Sequence, residues 1–248
     1  MSVENMIDSL KERAKGLKAK IIFPEGSEDR ILNAIKSIKK DNIITPILIG
    51  NEFEIRAKLD FEVEIIDPKK SEKLEEYNKI YSELKISKQI TDPLVFSAIA
   101  VRNGDADGMV AGVTYSSRDV IIISKKIIGL KKSVASSFFI MDIPGFLGGE
   151  NGCLIYADAA VIPNPNAEQL AEIAITTAES VIKLLDWKPR IAMLSFSTKG
   201  SANALEVQKV VEATRLAKNK GFEVDGEMQL DSALIMSVAK KKWKILAQ

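Results

Sequence analysis

Apolar positions change their spacing along the chain, and each change marks an element. Val3, Met6, Ile7, Leu10, Ala14 and Leu17 recur at three- and four-residue steps, which predicts an opening helix. Ala19 to Phe23 reads as a strand, ended by Pro24-Glu25-Gly26-Ser27-Glu28-Asp29, an acid-rich turn. Ile31, Ala34, Ile35 and Ile38 then give the apolar face of a helix. Pro46 to Ile49 is a second strand, closed by Gly50-Asn51, and Glu52 to Lys58 is a short helix. Val63 to Ile66 is a third strand, stopped by Asp67-Pro68. Lys69 to Lys88 predicts a charged helix carrying Leu74, Tyr77, Tyr81 and Leu84, and Asp92-Pro93 opens another that runs to about Asn103. Strands alternating with helices predict a parallel sheet covered on both faces.

The second half has the same texture. Asp107 to Gly112 predicts a strand and Val134 to Met141 another. Asp142 to Gly152 holds five glycine or proline punctuators and reads as a loop near a domain junction. After the strand Cys153 to Ala157, Asn166 is placed to cap a helix whose stripe is Leu170, Ile173, Ala174, Thr177, Val181 and Leu184, read as core. Phe222 to Met228 carries Asp225-Gly226-Glu227 inside it, and Asp231 opens a last helix. A break near Lys132 predicts two α/β/α domains with mostly parallel sheets, residues 1–132 and 133–248.

Two strand-to-helix turns carry the chemistry. The first, Val113 to Asp119, contains Ser116, Ser117, Arg118 and Asp119, and leads into a helix through Ile128. The second follows the apolar run Ile191 to Phe196. It is Ser197-Thr198-Lys199-Gly200-Ser201, ahead of a helix with Val207, Val210, Val211, Thr214 and Ala217. The first amides of a helix lack intrahelical partners and sit at the positive end of its dipole. Hydroxyls, a glycine and a cation at such a point suit a phosphate or other anion. The plainer reading is a capped turn, with Ser116 or Ser117 as the cap. The second turn is not a P-loop, because the order is Lys-Gly-Ser and the upstream glycine is missing.

Composition narrows the chemistry. The 248 residues have a formal charge of +1 and no basic block beyond Lys240-Lys241-Lys242, which argues against nucleic acid as the main partner. No apolar stretch reaches the length of a membrane span, and the first residues have no signal-like apolar core, so no membrane association and a cytoplasmic location are expected. With one cysteine, Cys153, and no histidine, Ser-His-Asp and Cys-His catalysis and histidine-ligated metals are excluded. Acid–base work falls to carboxylates, lysine, tyrosine or the substrate. A metal-dependent dehydrogenase needs an aspartate cluster. Asp225 and Asp231 do not make one, and no GxGxxG fingerprint occurs, so no metal is expected.

Six ordered segments carry a further signal: DGMVAG, the Ser-Ser-x-Asp turn, VASSFFIM, YADAAVIPNPNAEQLAEIA, AMLSFSTKGSA and VDGEMQLDSAL. Together they resemble the phosphate acetyltransferase family, grouped with the phosphate butyryltransferases, from Phe23 to the end of the chain. FFIM with AMLSFSTKGSA is more similar to the acetyl branch. The resemblance implies an isocitrate-dehydrogenase-like architecture with a cleft between two domains, and a homodimer. It implies reversible acetyl transfer between acetyl phosphate and coenzyme A, which is a substrate rather than a tightly bound cofactor. The thiolate attacks the carbonyl carbon directly, without an acyl-enzyme. Ser116, Ser117, Arg118, Asp119, Ser197, Thr198, Lys199, Gly200 and Ser201 then become contacts to phosphate and coenzyme A, with Asp119 orienting its turn.

The chain departs from the family pattern in several places. Ile122 stands where the family has an arginine, and Arg118 lies one turn earlier on the same helical face. Lys85 stands for another arginine, keeping the charge without the planar fork. The stretch from Lys88 to Asp105 is short, and Phe146 matches a cysteine of some members. The resemblance assigns the base to a segment containing Asp-Leu-Ser-Arg-Gly, which does not occur here, so no catalytic residue is assigned. It therefore implies an acyltransferase impaired by C-terminal truncation. The alternatives are a non-catalytic protein that binds coenzyme A or phosphate, and a phosphate butyryltransferase. Asp231 has a polar role in the cleft or simply caps a helix.

Overall fold

The computed structural model describes residues 3–246, with side-chain surroundings from Met6 to Lys242. The side chain of Val3 and the final Ala247-Gln248 lie outside the described part. The chain divides into two compact units. One is Asp8–Gly129. The other begins at Leu130 and also takes in the first residues of the opening helix.

The opening helix is α1 (Val3–Leu17). The first unit then alternates strand and helix: β1 (Lys20–Phe23), α2 (Asp29–Asp41), β2 (Thr45–Ile49), α3 (Glu52–Arg56), β3 (Glu64–Ile66), α4 (Leu74–Ser82), α5 (Pro93–Asn103), β4 (Gly108–Met109) and α6 (Ser117–Ile127). Its four strands form one parallel sheet in the order β3-β2-β1-β4. Successive side chains of a strand point to opposite faces, and the core divides accordingly. Ile22, Ile47 and Ile49 face α4, α5 and α6 through Tyr77, Leu94, Val95, Ile99, Ile123 and Ile127. Phe23 and Leu48 face α2 and α3 through Ile31, Leu32, Ile35 and Ile55. Both faces are therefore covered.

The helix expected over Lys69 to Lys88 is reduced to α4. Asp67 and Ser71 hydrogen-bond the amides of Lys69 and Lys73, local side-chain contacts that replace helical turns. The strand expected from Asp107 to Gly112 pairs only at its start. Val110 still donates to Ile22 at 3.1 Å, but the amides from Gly112 onward turn toward Glu25.

The second unit contains β5 (Phe138–Asp142), β6 (Cys153–Ala157), α7 (Ala167–Leu185), β7 (Arg190–Leu194), α8 (Leu205–Lys218), β8 (Glu223–Met228), α9 (Leu230–Leu234) and α10 (Met236–Leu246). Strands β5 and β6 form an antiparallel pair, not the parallel arrangement expected from strand–helix alternation. The glycine-rich loop is short enough to return the chain beside itself, which a parallel connection cannot do. Strand β5 also starts four residues later than Val134. Asn166 caps α7 in a capping box: its Oδ1 accepts from the Gln169 amide at 2.8 Å, and Gln169 Oε1 accepts from the Asn166 amide at 3.0 Å. The stripe on α7 is buried at Ile173, Thr177 and Val181, while Leu184 is exposed. Strands β7 and β8 are parallel and share a core with α7 and α8 through Ala171, Ile175, Met193, Val210, Ala213, Ala217 and Val224. Among the described residues this sheet is covered on one face only, because Ala192 and Leu194 on the other face of β7 are exposed.

Candidate active site

The first turn lies at the topological switch point of the four-stranded sheet. The chain winds from β1 through β2 to β3 in one direction and places β4 on the other side of β1. Open α/β sheets take ligands beyond the carboxyl ends of the strands at such a point. Here the Glu25 carboxylate, just past β1, occupies the turn that follows β4. Its Oε2 accepts from the Gly112 amide at 3.0 Å and the Val113 amide at 3.2 Å. Its Oε1 accepts from the Tyr115 amide at 2.9 Å, the Thr114 hydroxyl at 2.9 Å and the Thr114 amide. Glu25 is 7% exposed. Burial pushes its pKa up, but the Thr114, Tyr115 and Val113 donors outweigh that and bring it down to about 2. Arg30 donates to the Val113 carbonyl at 3.2 Å, so the turn is held from both sides of its backbone.

What remains outward is the helix start. Ser116 caps α6, its Oγ accepting from the Asp119 amide at 3.1 Å. Ser117 and Arg118 are exposed, and Arg118 makes no hydrogen bond or ion pair with the described residues. Asp119 lies 3.9 Å from Lys88 Nζ, which is also 3.7 Å from Asp92 and 4.8 Å from the centre of the Tyr115 ring. Tyr115 donates to Asp92 Oδ1 at 3.3 Å, and burial pushes its phenol up to about 12, so it is neutral at physiological pH. A groove of about 410 Å³ beside these groups is lined by Lys69, Ser87, Lys88, Gln89, Thr91 and Asp92. Ile122 is 39% exposed on α6, and Lys85 meets this region through its carbonyl, which accepts from Lys126.

The second turn is built on the same plan. In the register between β7 and β8, Met193 pairs with Gly226 and Leu194 with Met228, so Glu227 is the extra residue of a bulge. A bulge re-aims a side chain, and this one sends a carboxylate that is 4% exposed into the Ser197–Ser201 turn. Glu227 Oε1 accepts from the Gly200 amide at 2.7 Å and the Ser197 hydroxyl at 3.0 Å. Ser197 Oγ in turn accepts from the Ala202 amide at 3.1 Å, and Ser201 Oγ accepts from the Thr198 amide at 3.0 Å. Thr198 Oγ1 accepts from the Gln229 amide at 3.1 Å. Ser197 and Thr198 are buried, while Lys199, Gly200 and Ser201 are exposed. Lys199 has φ 51 and donates to Asp225 Oδ1 at 2.5 Å. Burial raises the Asp225 pKa, but the bonds from Lys199 and the Gly226 amide outweigh it and hold the carboxyl below the ordinary aspartate value. Asp231, in α9, accepts from Lys242 at 2.8 Å.

In each unit, then, a glutamate from the end of the neighbouring parallel strand takes up the turn's inward donors, and a cation stands on the outside. Sequence reasoning pointed to both turns and missed both glutamates. The available signal was a charged residue at the end of, or inside, a strand whose neighbours are apolar, which requires a partner. Among the described residues, no group of three or more His, Cys, Asp or Glu side chains is gathered as a metal site would require.

An α/β protein that exposes hydroxyls and a cation at two strand-to-helix turns fits a transferase that handles phosphate. The family model described as Phosphate acetyl/butaryl transferase matches residues 5–247, and the chain belongs to that family. It is 44% identical over 257 residues to a phosphate acetyltransferase of Thermoanaerobacterium thermosaccharolyticum, covering 96% of this chain and 78% of that one. A phosphotransacetylase from Streptococcus pyogenes superposes with a TM-score of 0.87 at 35% identity, over 97% of this chain and 77% of that one. The EutD phosphotransacetylase from Staphylococcus aureus gives a TM-score of 0.84 at 32% identity, over 98% and 78%.

Proposed function

We propose that this chain is a phosphate acetyltransferase, moving an acetyl group between acetyl phosphate and coenzyme A. The observation that carries the reading is 44% identity, along 96% of the chain, to a protein of that name. Arg118, Ser117, Lys199 and Ser201 hold the phosphate and the phosphate-bearing end of coenzyme A. All four are exposed in turns whose inward donors Glu25 and Glu227 have taken. Ser116, Asp119, Ser197, Thr198 and Gly200 shape the turns that present them. In the reaction, the coenzyme A thiol loses its proton, its sulfur attacks the acetyl carbonyl carbon, and the carbon–oxygen bond to phosphate breaks with phosphate leaving. Cations at the phosphate stabilise the charge that builds on the leaving oxygen. The chain has no histidine, so the proton goes to a carboxylate, a lysine, a tyrosine or the substrate.

The same reading places the protein in the cytoplasm as a homodimer. No helix among the described residues is long and apolar enough to cross a membrane. The test is formation of acetyl-CoA from acetyl phosphate and coenzyme A by the purified chain, with butyryl phosphate as the competing donor. Acetyl-CoA formation above a protein-free control, with acetyl preferred, is expected. Coenzyme A binding without any transfer would replace the enzyme by a binding protein, and a butyryl preference would move the chain to the other half of its family.

A further inference from the structure

We propose that Asp225 is a positioning residue that acts through Lys199: it keeps the lysine ammonium against the middle of β8 and releases it when a phosphate group arrives. The inference rests on the reading of Lys199 as a phosphate contact.

The stem of Lys199 is fixed while its tip can exchange partners. The backbone amide of Lys199 donates to the Glu227 carbonyl at 3.1 Å, so the residue cannot drift from the turn. Its ammonium donates to Asp225 Oδ1 at 2.5 Å and to the Gly226 carbonyl at 3.2 Å. The side chains of Lys199 and Asp225 are 33% and 46% exposed, so both are within reach of solvent and of a ligand. A lysine so paired presents little net charge. An arriving phosphate must take it from a carboxylate, whose own charge repels the ligand.

A second cation makes the exchange cheap. Lys218 Nζ lies 3.5 Å from the same Asp225 Oδ1. When Lys199 leaves, Asp225 keeps an ion-pair partner and no charge is stranded. A pair this exposed is weak, so a dianion with several acceptor oxygens can displace it. Asp225 thus sets how tightly the turn holds phosphate without touching the phosphate itself.

The experiment is calorimetric titration of inorganic phosphate into the purified wild-type chain, Lys199→Gln, Asp225→Asn and the double variant. Lys199→Gln is expected to weaken phosphate about tenfold, the loss of a charge-assisted contact. Asp225→Asn is expected to tighten it about two- to fivefold, the release of an exposed pair. In the Lys199→Gln background the same change should give no gain, because the effect runs through the lysine. If Lys199→Gln weakens binding and Asp225→Asn leaves it unchanged or weaker, the proposal fails while Lys199 stands as a contact. A gain that persists without Lys199 also overturns it, because the carboxylate then acts by direct repulsion alone. If Lys199→Gln has no effect, Lys199 is not a phosphate contact, and both the proposal and that part of the functional reading fall.

Discussion

The Glu25 carboxylate and the Tyr115 amide meet at 2.9 Å although 90 residues of chain separate them. With the Gly112, Val113 and Thr114 donors on the same side chain, this contact ties the end of β1 to the turn after β4. The folded-state pKa of about 2 lies well below the ordinary glutamate value. A depressed carboxyl pKa contributes stability that is fully present above about pH 4.5 and is lost as pH falls toward 2, here about 3 kcal/mol. Glu25→Ala should therefore lower the unfolding midpoint at neutral pH by about 10 °C. Its stability should also fall less than that of the wild type between about pH 4.5 and pH 2. Thermal melts followed by circular dichroism across this range check both, and parallel curves for the two proteins would remove Glu25 from the account.

Gly26 follows, and its side-chain position is closed. A Cβ there would lie 2.7 Å from the Ile49 carbonyl oxygen and 2.9 Å from its nitrogen, where the Gly26 amide now donates to Ile49. Both neighbours are backbone of β2, which cannot rotate away. Gly26→Ala should force the ends of β1 and β2 apart and destabilise the first unit by about 1–3 kcal/mol. It should also loosen the turn that Glu25 holds, visible as faster amide exchange at Val113 to Tyr115. A variant with wild-type stability and exchange would mean that the strand ends yield freely.

Much of this framework was legible in the sequence because periodicity is a local property. The switches between strand and helix gave the parallel sheet of the first unit, and Asn166, just ahead of an apolar stripe, gave the cap of α7, though not the return bond from Gln169. The two turns stood out through their hydroxyls, arginine and lysine. What could not be read was where their amides point. That depends on Glu25 and Glu227, whose partners lie 87 to 90 and 27 to 30 residues away, and on a one-residue bulge in β8. The length of α4 and the antiparallel pairing of β5 with β6 were set by local capping and by the loop between the strands. Neither leaves a mark on apolar spacing.

Glu227 separates two roles that substitution can pull apart. A glutamine at this position keeps an acceptor oxygen for the Gly200 amide and the Ser197 hydroxyl, whereas alanine takes that shared acceptor away from both. Glu227→Ala should cost about 2–4 kcal/mol, while Glu227→Gln should stay within about 1.5 kcal/mol of the wild type. Chemical unfolding of the two variants decides this. Equal losses would show that the charge of Glu227, and not its role as acceptor, holds the turn.

Arg118 gives the cleanest test of the first turn. Its guanidinium is exposed and unpaired among the described residues, so removing it takes nothing from the fold. It sits in the first turn of α6, on the face that Ile122 continues one turn later. With isoleucine at 122, Arg118 brings the exposed guanidinium to this face. A charge-assisted hydrogen bond to a phosphate is worth about 1.5–3 kcal/mol, roughly a 10- to 100-fold change in binding. Arg118→Ala should therefore raise the KM for acetyl phosphate or coenzyme A by that range, with the melting temperature unchanged within about 1 °C. Arg118→Lys should recover part of the loss, because the charge returns without the fork that grips two phosphate oxygens at once. Adding a second arginine by Ile122→Arg, on the exposed side of the same helix, should lower the KM of the wild type. Steady-state kinetics on the three variants is the measurement. If Arg118→Ala keeps a wild-type KM for both substrates, the exposed start of α6 is a capped helix and not a phosphate site.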